Sequence, residues 1–206
     1  MGRSKSSNQW LKEHFDDEFV KKSQGAGYRA RSAYKLAEIA EKYDLFNGVK
    51  AVVDLGAAPG GWCQVVKTEA PETSLVIGLD LLPIEPIEGV EFILGDFTSD
   101  EVYQQLLDLL AGRKIDLVLS DMAPNLSGMS AMDQPRSMLL AEMALEFCEQ
   151  SLQPGGSHVV KLFQGEGFDQ HMQNIRQSFN KAVIYKPKSS RPRSREVFAV
   201  ATGFKG

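Results

Sequence analysis

The most informative segment of this chain reads Ala51-Val-Val-Asp-Leu-Gly-Ala-Ala-Pro-Gly-Gly-Trp62. Its first five residues have the nearly continuous apolar character of a strand buried on both faces. A tight glycine turn and a helix start follow, and glycine is suited to a sharp turn that approaches a ligand closely. The spacing G-x-x-x-G-G differs from the dinucleotide fingerprint, and no GK[ST] phosphate loop is present. We therefore expect a strand, a turn that binds a ligand, and a helix.

Short apolar runs of the same kind recur along the chain, and helical segments lie between several of them. Repeated β–α–β units with short links are typical of a parallel sheet with helices on both faces. The last two runs have no helix between them, so we expect them to pair antiparallel. The predicted fold class is α/β. The predicted strands are 51–55, 75–79, 90–94, 115–119, 158–163, 182–185 and 197–201, and the predicted helices are 28–43, 61–70, 100–111, 134–152 and 168–179.

Length and composition indicate an ordinary globular protein. The chain has 206 residues, of which 43% are hydrophobic and 24% charged. No apolar run approaches the roughly 18 residues that a membrane span requires, and the N-terminus lacks the apolar core of a secretory signal. We expect one domain over residues 1–206, in the cytoplasm, with residues 1–27 as a basic, partly flexible arm.

The cysteines and histidines do not indicate a metal site. Cys63 and Cys148 are 85 positions apart and form no CxxC motif. The three histidines, His14, His158 and His171, are scattered and complete no metal-ligand spacing. We expect a reduced compartment and no bound metal.

The net charge of −4 is unevenly distributed. Residues 1–50 carry 10 basic and 7 acidic side chains, residues 51–150 carry 4 and 17, and residues 151–206 carry 9 and 3. Five positive charges lie within residues 186–195, where two prolines and three serines predict a loop. Such a cluster can neutralise the phosphates of a nucleic acid, or it can be a solvated surface loop. Composition alone leaves both possibilities open.

Aspartates stand at the ends of the first four predicted strands: Asp54, Asp80, Asp96 and Asp121. Ligands of open α/β sheets bind at those ends, where Asp80 can accept both hydroxyls of a ribose. Asp96 could accept an adenine amino group, with Phe97 as an apolar surface beside it. Four carboxylates repel a pyrophosphate but suit S-adenosylmethionine, which carries a sulfonium and an ammonium group. The alternative is that these aspartates cap the helices that follow them.

Lys161 lies inside the otherwise apolar run 159–163. A strand buried on both faces rarely contains an unpaired lysine, and a buried lysine can act as a base. The alternative is an edge strand with the ammonium group in solvent. The candidate neighbours of Lys161 are Asp121, Lys35 and Glu196, although spacing along the chain does not show that they meet.

These segments together resemble the FtsJ/RrmJ family of ribose 2′-O-methyltransferases over nearly the whole chain. The resemblance implies a Rossmann-like class I methyltransferase fold, with seven mostly parallel strands and the last strand antiparallel. It also implies S-adenosylmethionine as cofactor and a ribose, best matched by a uridine, in large-subunit ribosomal RNA as substrate. The matching segments are Gly27–Leu36, Asp54–Trp62, Asp121–Asn125, Lys161 in its strand, and Ser194–Val197.

The resemblance also assigns roles to individual residues. The family's Lys-Asp-Lys-Glu tetrad falls on Lys35, Asp121, Lys161 and Glu196. Neutral Lys161 would remove the proton from the ribose hydroxyl, and Lys35 would favour that neutral form or stabilise the developing oxyanion. Asp121 would orient Lys161, and Glu196 would hold one of the lysines. The expected cofactor-binding residues are Gly56, Gly60, Trp62, Asp80, Asp96 and Asp121.

The RNA is expected to lie across the basic ends of the chain, with no membrane partner and with the protein as a monomer. Another RNA, such as a transfer RNA or an mRNA cap, is an alternative substrate, and a non-catalytic RNA-binding protein on the same scaffold is a further alternative. A nucleotide-dependent dehydrogenase is disfavoured by the glycine spacing and the acidic strand ends. The candidate phosphate contacts are Lys21, Lys22, Arg29, Arg31, Arg191, Arg193 and Arg195.

Overall fold

The structure, a computed structural model, describes residues 27–124, 129–191 and 193–206. Lys21, Lys22 and all of the predicted N-terminal arm except Gly27 lie outside these ranges. The strands are β1 (Ala51–Leu55), β2 (Leu75–Asp80), β3 (Glu91–Leu94), β4 (Ile115–Ser120), β5 (Leu152–Phe163), β6 (Phe179–Tyr185) and β7 (Glu196–Phe204). The helices are α1 (Ser32–Tyr43), α2 (Gly61–Glu69), α3 (Asp100–Leu110), α4 (Ser130–Ser151) and α5 (Phe168–Ser178).

The strands form one sheet in the order β3-β2-β1-β4-β5-β7-β6. Neighbours among β1 to β5 are parallel, whereas β7 is antiparallel to both β5 and β6. The α/β class and the antiparallel last strand are therefore confirmed. The chain adds β2 and β3 on one side of β1 and then returns to add β4 on the other. This reversal creates a crevice at the carboxyl ends of β1 and β4, where ligands of such sheets bind.

Strand alternation divides the apolar side chains between the two faces of the sheet. Val52 and Leu117 pack with α1 and α2 on one face. Val53 and Val118 pack with α3, α4 and α5 on the other. Because helices cover both faces, the central strands are apolar almost throughout, which explains the continuous runs in the sequence.

Several predicted boundaries differ from the structure: the helix predicted at 134–152 begins at residue 130, the strand predicted at 182–185 begins at 179, and the strand predicted at 197–201 ends at 204. Two further differences have a clear local reason. Helix α1 begins at Ser32 rather than at residue 28, because the backbone N–H of Arg29 donates to the side-chain oxygen of Gln64 instead of joining a helix. Strand β5 begins at Leu152 rather than at residue 158. Its first residues include Pro154 and Gly155, which are typical of turns, but an irregularity in the pairing with β4 accommodates them.

Within the described ranges, no helix is both long enough and apolar enough to cross a bilayer.

Candidate active site

A cavity of about 330 Å³ lies at the carboxyl ends of β1 to β4. Gly56, in the turn after β1, allows this cavity to form. Its φ is +80°, and a Cβ atom there would lie 2.7 Å from the backbone nitrogen of Met122. Only glycine lets this turn approach the segment after β4 so closely. The cavity is lined by Gly56, Ala58, Leu79, Asp80, Leu81, Leu82, Gly95, Asp96, Phe97, Asp121, Met122, Ala123 and Leu140.

Asp80 fastens two loops around this cavity. One carboxylate oxygen accepts the backbone N–H of Ala58 at 2.9 Å, and the other accepts the backbone N–H of Leu82 at 2.9 Å. Each carboxylate oxygen can accept more than one hydrogen bond, so these contacts leave acceptor capacity for a ribose. The position of Asp80 thus agrees with its expected place at the cavity.

Asp96 lies at the exposed rim of the same cavity. Its Oδ1 accepts hydrogen bonds from the backbone N–H of Thr98 at 2.9 Å and from the Thr98 hydroxyl at 2.8 Å. These bonds hold the pKa of Asp96 below its ordinary value. The carboxylate therefore organises the turn before α3 but does not cap that helix, whose N-cap is Ser99. It also lines the cavity beside buried Phe97.

Asp54 is not part of the cavity lining, contrary to the expectation of four aspartates in one pocket. Its position on β1 directs the side chain beneath α2, where it is fully buried and accepts a hydrogen bond from the Cys63 thiol at 3.2 Å. Burial raises the pKa of Asp54 to about 7, although the Cys63 hydrogen bond lowers it. Three aspartates, not four, line the cavity.

Gly60 and Trp62 also lie outside the cavity lining. Gly60 has a φ of +104°, and a Cβ there would press on the Arg29 guanidinium. Trp62 is 2% exposed, donates its indole N–H to the Ser32 carbonyl at 2.9 Å, and packs against Phe198 with ring centroids 5.9 Å apart. These residues contact the segment before α1 and the start of that helix rather than the cavity. Their direct contact with a cofactor stays a prediction.

Lys161 and Asp121 form an ion pair at the edge of the cavity. The ammonium nitrogen lies 2.9 Å from Oδ1 of Asp121 and donates to the backbone carbonyl of the same residue at 2.6 Å. The Lys161 side chain is only 9% exposed, and its strand β5 lies between β4 and β7. The alternative of an edge-strand lysine with its head in solvent is therefore wrong.

Lys35 and Glu196 form a second ion pair, with a nitrogen–oxygen distance of 2.6 Å. Ser190 donates its hydroxyl to the same Glu196 oxygen at 3.1 Å, and the Glu196 backbone N–H donates to the Ser194 hydroxyl. Burial raises the pKa of Glu196, but Lys35, Lys161 and Ser190 together bring it below its ordinary value. Glu196 is thus ionised at neutral pH and anchors Lys35.

The register of β5 and β7 places both pairs on one face of the sheet. In this register Lys161 of β5 lies opposite Phe198 of β7, and Phe163 lies opposite Glu196. The side chains of Lys161, Phe163, Glu196 and Phe198 therefore lie on the same face of the sheet. The Lys35 nitrogen lies 5.7 Å from the Phe198 ring centroid, and the Lys161 nitrogen lies 5.9 Å from that of Phe163. The structure therefore brings the four tetrad residues together beside an acidic cavity, with each ammonium group near one aromatic ring.

Arg29 is bound to the protein's own backbone. Its guanidinium donates to the carbonyls of Pro59 at 3.2 Å, Glu85 at 2.5 Å and Pro86 at 3.0 Å. It clamps the residues before α1 onto the glycine turn, which is a structural task that differs from the phosphate contact expected from its charge.

The basic loop, residues 186–195, is attached to the body of the protein at several points. Arg31 donates to the Ser189 carbonyl, and Ser190 donates to Glu196. Within the loop, Lys186 donates to the Ser194 carbonyl at 2.8 Å. Burial and the nearby Arg191 lower the pKa of Arg31. Ser189 and Ser190 are buried, so a fully solvated loop is wrong for this part, whereas Arg193 and Arg195 are exposed.

Two polar residues that no sequence pattern indicated hold this region together. Glu38 accepts the Tyr185 hydroxyl at 2.6 Å and the Lys188 backbone N–H, which ties α1 to the basic loop. Gln134 donates to the carbonyls of Phe163 and Glu166, each at 3.0 Å, which fixes the end of β5 beyond Lys161. Their partners lie 29 to 150 positions away, so no local pattern indicates these contacts.

No group of histidine, cysteine, aspartate and glutamate side chains within the described ranges is arranged to hold a metal ion.

Comparison with known proteins agrees with this geometry. A curated relative from Stutzerimonas stutzeri (strain A1501), named ribosomal RNA large subunit methyltransferase E, is 53% identical over 206 residues and all of both chains. A relative of the same name from Marinobacter nauticus is 54% identical over 205 residues, covering 100% of this chain and 99% of that one. The crystal structure of a ribosomal RNA methyltransferase from Plasmodium falciparum is similar, with a TM-score of 0.77 and 33% identity, covering 87% of this chain and 100% of that chain.

The family model of the FtsJ-like methyltransferases matches residues 28–204, which include every strand and helix described above. With the strand order, the glycine turn and both lysine–carboxylate pairs in place, the chain belongs to the FtsJ-like methyltransferase family.

Proposed function

We propose that this protein transfers a methyl group from S-adenosylmethionine to the 2′-hydroxyl of a ribose, that of a uridine, in large-subunit ribosomal RNA. The observation that carries the proposal is the meeting of Lys161–Asp121 and Lys35–Glu196 on one sheet face, beside an acidic cavity. The relatives' names supply the class of RNA.

The cavity fits S-adenosylmethionine in charge. Asp80, Asp96 and Asp121 line it, and their carboxylates favour a ligand with cationic groups over one with a pyrophosphate. Asp80 has acceptor capacity for ribose hydroxyls, and Phe97 offers an apolar surface beside Asp96 for the adenine. When bound, S-adenosylmethionine supplies a methyl group already activated on a sulfonium sulfur.

The remaining chemistry is to hold the ribose hydroxyl in line and to remove its proton. Lys161 is our candidate base, because the backbone carbonyl and carboxylate of Asp121 fix its nitrogen at the edge of the cavity. Lys35, anchored by Glu196, places a positive charge on the same face, where it would stabilise the alkoxide that develops as the proton leaves. Positioning can supply up to about 7–11 kcal/mol of the barrier, and a positioned base adds about 10²–10⁴-fold in rate.

The basic loop is our candidate RNA-binding surface. Arg193 and Arg195 are exposed, and Arg191 is half-buried near Arg31. Phosphate contacts by such side chains release counterions, so the affinity for RNA should fall steeply as salt rises. The free cysteines, Cys63 and Cys148, accord with a cytoplasmic location, and a monomer needs no further component for the tetrad.

The decisive experiment uses ribosomal particles from a strain that lacks this protein. Purified protein and S-adenosylmethionine with a labelled methyl group are added, and the modified nucleotide is mapped. We expect label on one ribose 2′-oxygen of large-subunit RNA. Label on transfer RNA or on an mRNA cap would redirect the proposal, and RNA binding without methyl transfer would indicate the non-catalytic alternative. Calorimetry should show binding of S-adenosylmethionine and none of NAD.

A further inference from the structure

Phe163, at the end of β5, differs from the other phenylalanines that the structure describes. Each of the others lies in, or packs against, the apolar core on one face of the sheet. Phe163 belongs to neither core, is half-buried, and forms no ring pair with another aromatic residue in the described ranges. Its ring therefore lacks the apolar packing that normally surrounds a phenylalanine.

The residues of β5 that share a face with Phe163 lead from the core to the proposed reaction site. Side chains two residues apart in a strand point to the same face. Val159 is fully buried in the core with α1 and α2, and Lys161 follows it in the tetrad. Phe163 comes next, and the four residues after it are exposed. The ring thus lies just beyond the proposed base, at the open end of the strand.

The distance between the ring and the proposed base suits a nucleotide. The Lys161 ammonium nitrogen lies 5.9 Å from the centroid of the Phe163 ring. A base must approach the hydroxyl that it deprotonates to within about 2.6–3.2 Å. The 2′-oxygen and the nucleobase are attached to adjacent carbons of a ribose, so a hydroxyl held at Lys161 brings its own nucleobase close to the lysine. The nucleobase can therefore lie against the ring while its ribose contacts Lys161.

Backbone contacts on both sides hold Phe163 in place although its ring is not packed in a core. Its carbonyl accepts a hydrogen bond from the Gln134 amide at 3.0 Å, and its partner across the sheet is Glu196. The next residue, Gln164, donates its backbone N–H to the Arg195 carbonyl at 3.2 Å. A ring that is fixed through its backbone can bind a flat ligand with little loss of conformational freedom.

Two other roles for the ring agree less well with its surroundings. One is a cation–π contact with Lys161, since the distance is just inside the limit of about 6 Å. Such a contact would favour the charged lysine, whereas the proposed base acts when it is neutral. The other is a surface phenylalanine without a role, because single exposed apolar residues are common. The place of Phe163 beside the proposed base, with its backbone fixed on both sides, distinguishes it from such residues.

We propose that the Phe163 ring stacks on the base of the nucleotide whose ribose is methylated. Every nucleobase has an aromatic face, so this contact would orient the ribose towards Lys161 without reading the sequence of the RNA. Arg195, exposed and bonded through its carbonyl to the residue after Phe163, could contact a phosphate of the same RNA strand. The inference rests on the proposed function and adds a residue that contacts its substrate.

Two substitutions of Phe163 test the stacking in the full-length protein, with S-adenosylmethionine and ribosomal particles as substrates. Phe163→Leu keeps an apolar side chain but removes the aromatic face, whereas Phe163→Tyr keeps that face. We expect KM for the particles to rise about tenfold in Phe163→Leu and to stay within about twofold of the wild type in Phe163→Tyr. Phe92→Leu, at a half-buried phenylalanine on β3, is the matched control and should keep the wild-type KM. An unchanged KM in Phe163→Leu would overturn the proposal, as would an equal rise in Phe163→Tyr.

A substrate without the nucleobase separates stacking from an effect of the ring on Lys161. Once the methylated position is mapped, particles are reconstituted with RNA that carries a ribose without a base at that position. These particles serve as competitive inhibitors of methyl transfer to intact ones. The wild type should bind them about tenfold more weakly than intact particles, whereas Phe163→Leu should bind both alike. Equal discrimination by the two proteins would show that the ring does not contact the nucleobase, and the proposal would be wrong.

The same measurements separate this inference from the proposed function. If the wild type methylates ribosomal RNA and Phe163→Leu has the wild-type KM, the stacking alone is wrong. If the wild type transfers no methyl group to any RNA, the proposed function fails and the stacking fails with it. Because Phe163 lies outside both cores, Phe163→Leu should lower the urea midpoint of unfolding less than Phe92→Leu does. A larger loss of stability in Phe163→Leu would show that the ring packs within the protein, which contradicts the proposal.

Discussion

The acidic cavity and the lysine tetrad adjoin each other but are held in place in different ways. The aspartate-bearing loops of the cavity are held by short-range contacts, since Asp96 bonds two residues ahead and Asp80 bonds no further than 22 residues away. The tetrad depends on ion pairs between distant segments, 40 residues apart for Lys161 with Asp121 and 161 for Lys35 with Glu196. A binding site for a cofactor can thus form within consecutive β–α units, whereas the proposed catalytic groups require the whole sheet, including its antiparallel last strand.

The largest expected effect separates catalysis from cofactor binding. Lys161→Ala should reduce the rate of methyl transfer by at least about 10²–10⁴-fold, because it removes the proposed base. Binding of S-adenosylmethionine, measured by calorimetry, should change little, since Lys161 is not part of the cavity lining. Lys181→Ala, which removes an exposed lysine from β6, serves as the control. A wild-type rate in the Lys161 variant would show that another group takes the proton.

A second test concerns Asp54, which lies beneath the cavity rather than in it. Its pKa is about 7 in the folded protein, against 3.8 as the ordinary value. Between about pH 4 and pH 7 the unfolded chain therefore releases a proton that the folded chain keeps, and stability falls as pH rises through this window. Asparagine does not ionise, so Asp54→Asn removes this pH-dependent loss of stability. Above pH 7 the free energy of unfolding of the variant should exceed that of the wild type by an amount on the order of 2–4 kcal/mol.

Urea unfolding of the cofactor-free protein at several pH values measures this difference. The two proteins should have equal stability below about pH 4, where Asp54 is neutral in both states. Asp108→Asn, which changes an exposed carboxylate on α3, should show no comparable pH dependence. A constant difference between wild type and Asp54→Asn at all pH values would mean that Asp54 is ionised inside the fold.

The third test examines the cavity itself. Asp80→Asn leaves one acceptor oxygen where two backbone N–H groups now donate, and it removes the negative charge. Hydrogen bonds to charged groups contribute about 1.5–3 kcal/mol, so the affinity for S-adenosylmethionine should fall by about tenfold or more. High cofactor concentrations should restore most of the rate, unlike in Lys161→Ala. Unchanged cofactor affinity would remove Asp80 from the binding site.

The same contrast explains what the sequence could predict. The strands, their order of appearance, the glycine turn and the unusual position of Lys161 are local features, and the structure agrees with them. Asp54 was misplaced because β1 is apolar on both faces, so its pattern does not reveal which face each side chain takes. The charge of Arg29 does not reveal that it binds three backbone carbonyls, and its contact with a phosphate stays a prediction. The pairing of Lys35 with Glu196 required the family resemblance, since 161 residues separate them.

The smallest expected effect tests whether the basic loop tunes the tetrad. Ser190 donates to Glu196 and favours its ionised form, so Ser190→Ala should raise the pKa of Glu196 towards its ordinary value. Because the folded-state pKa is depressed, the ion pair with Lys35 contributes fully above the unfolded pKa and is lost as pH falls through the folded one. The acid limb of the rate–pH profile should therefore move to higher pH in the variant.

One neutral-to-charged hydrogen bond is worth about 1.5–3 kcal/mol at most, and partial exposure reduces it, so the loss of stability at pH 7 should be near 1 kcal/mol. Thr73→Ala, which removes an exposed hydroxyl, provides the control. If the acid limb stays in place while stability falls, Ser190 acts only as a structural contact of the loop. If the acid limb of the rate–pH profile moves, the loop that we propose to bind RNA also influences the ionisation of Glu196. The ion pair of Lys35 with Glu196 would then be coupled to the surface that binds the substrate.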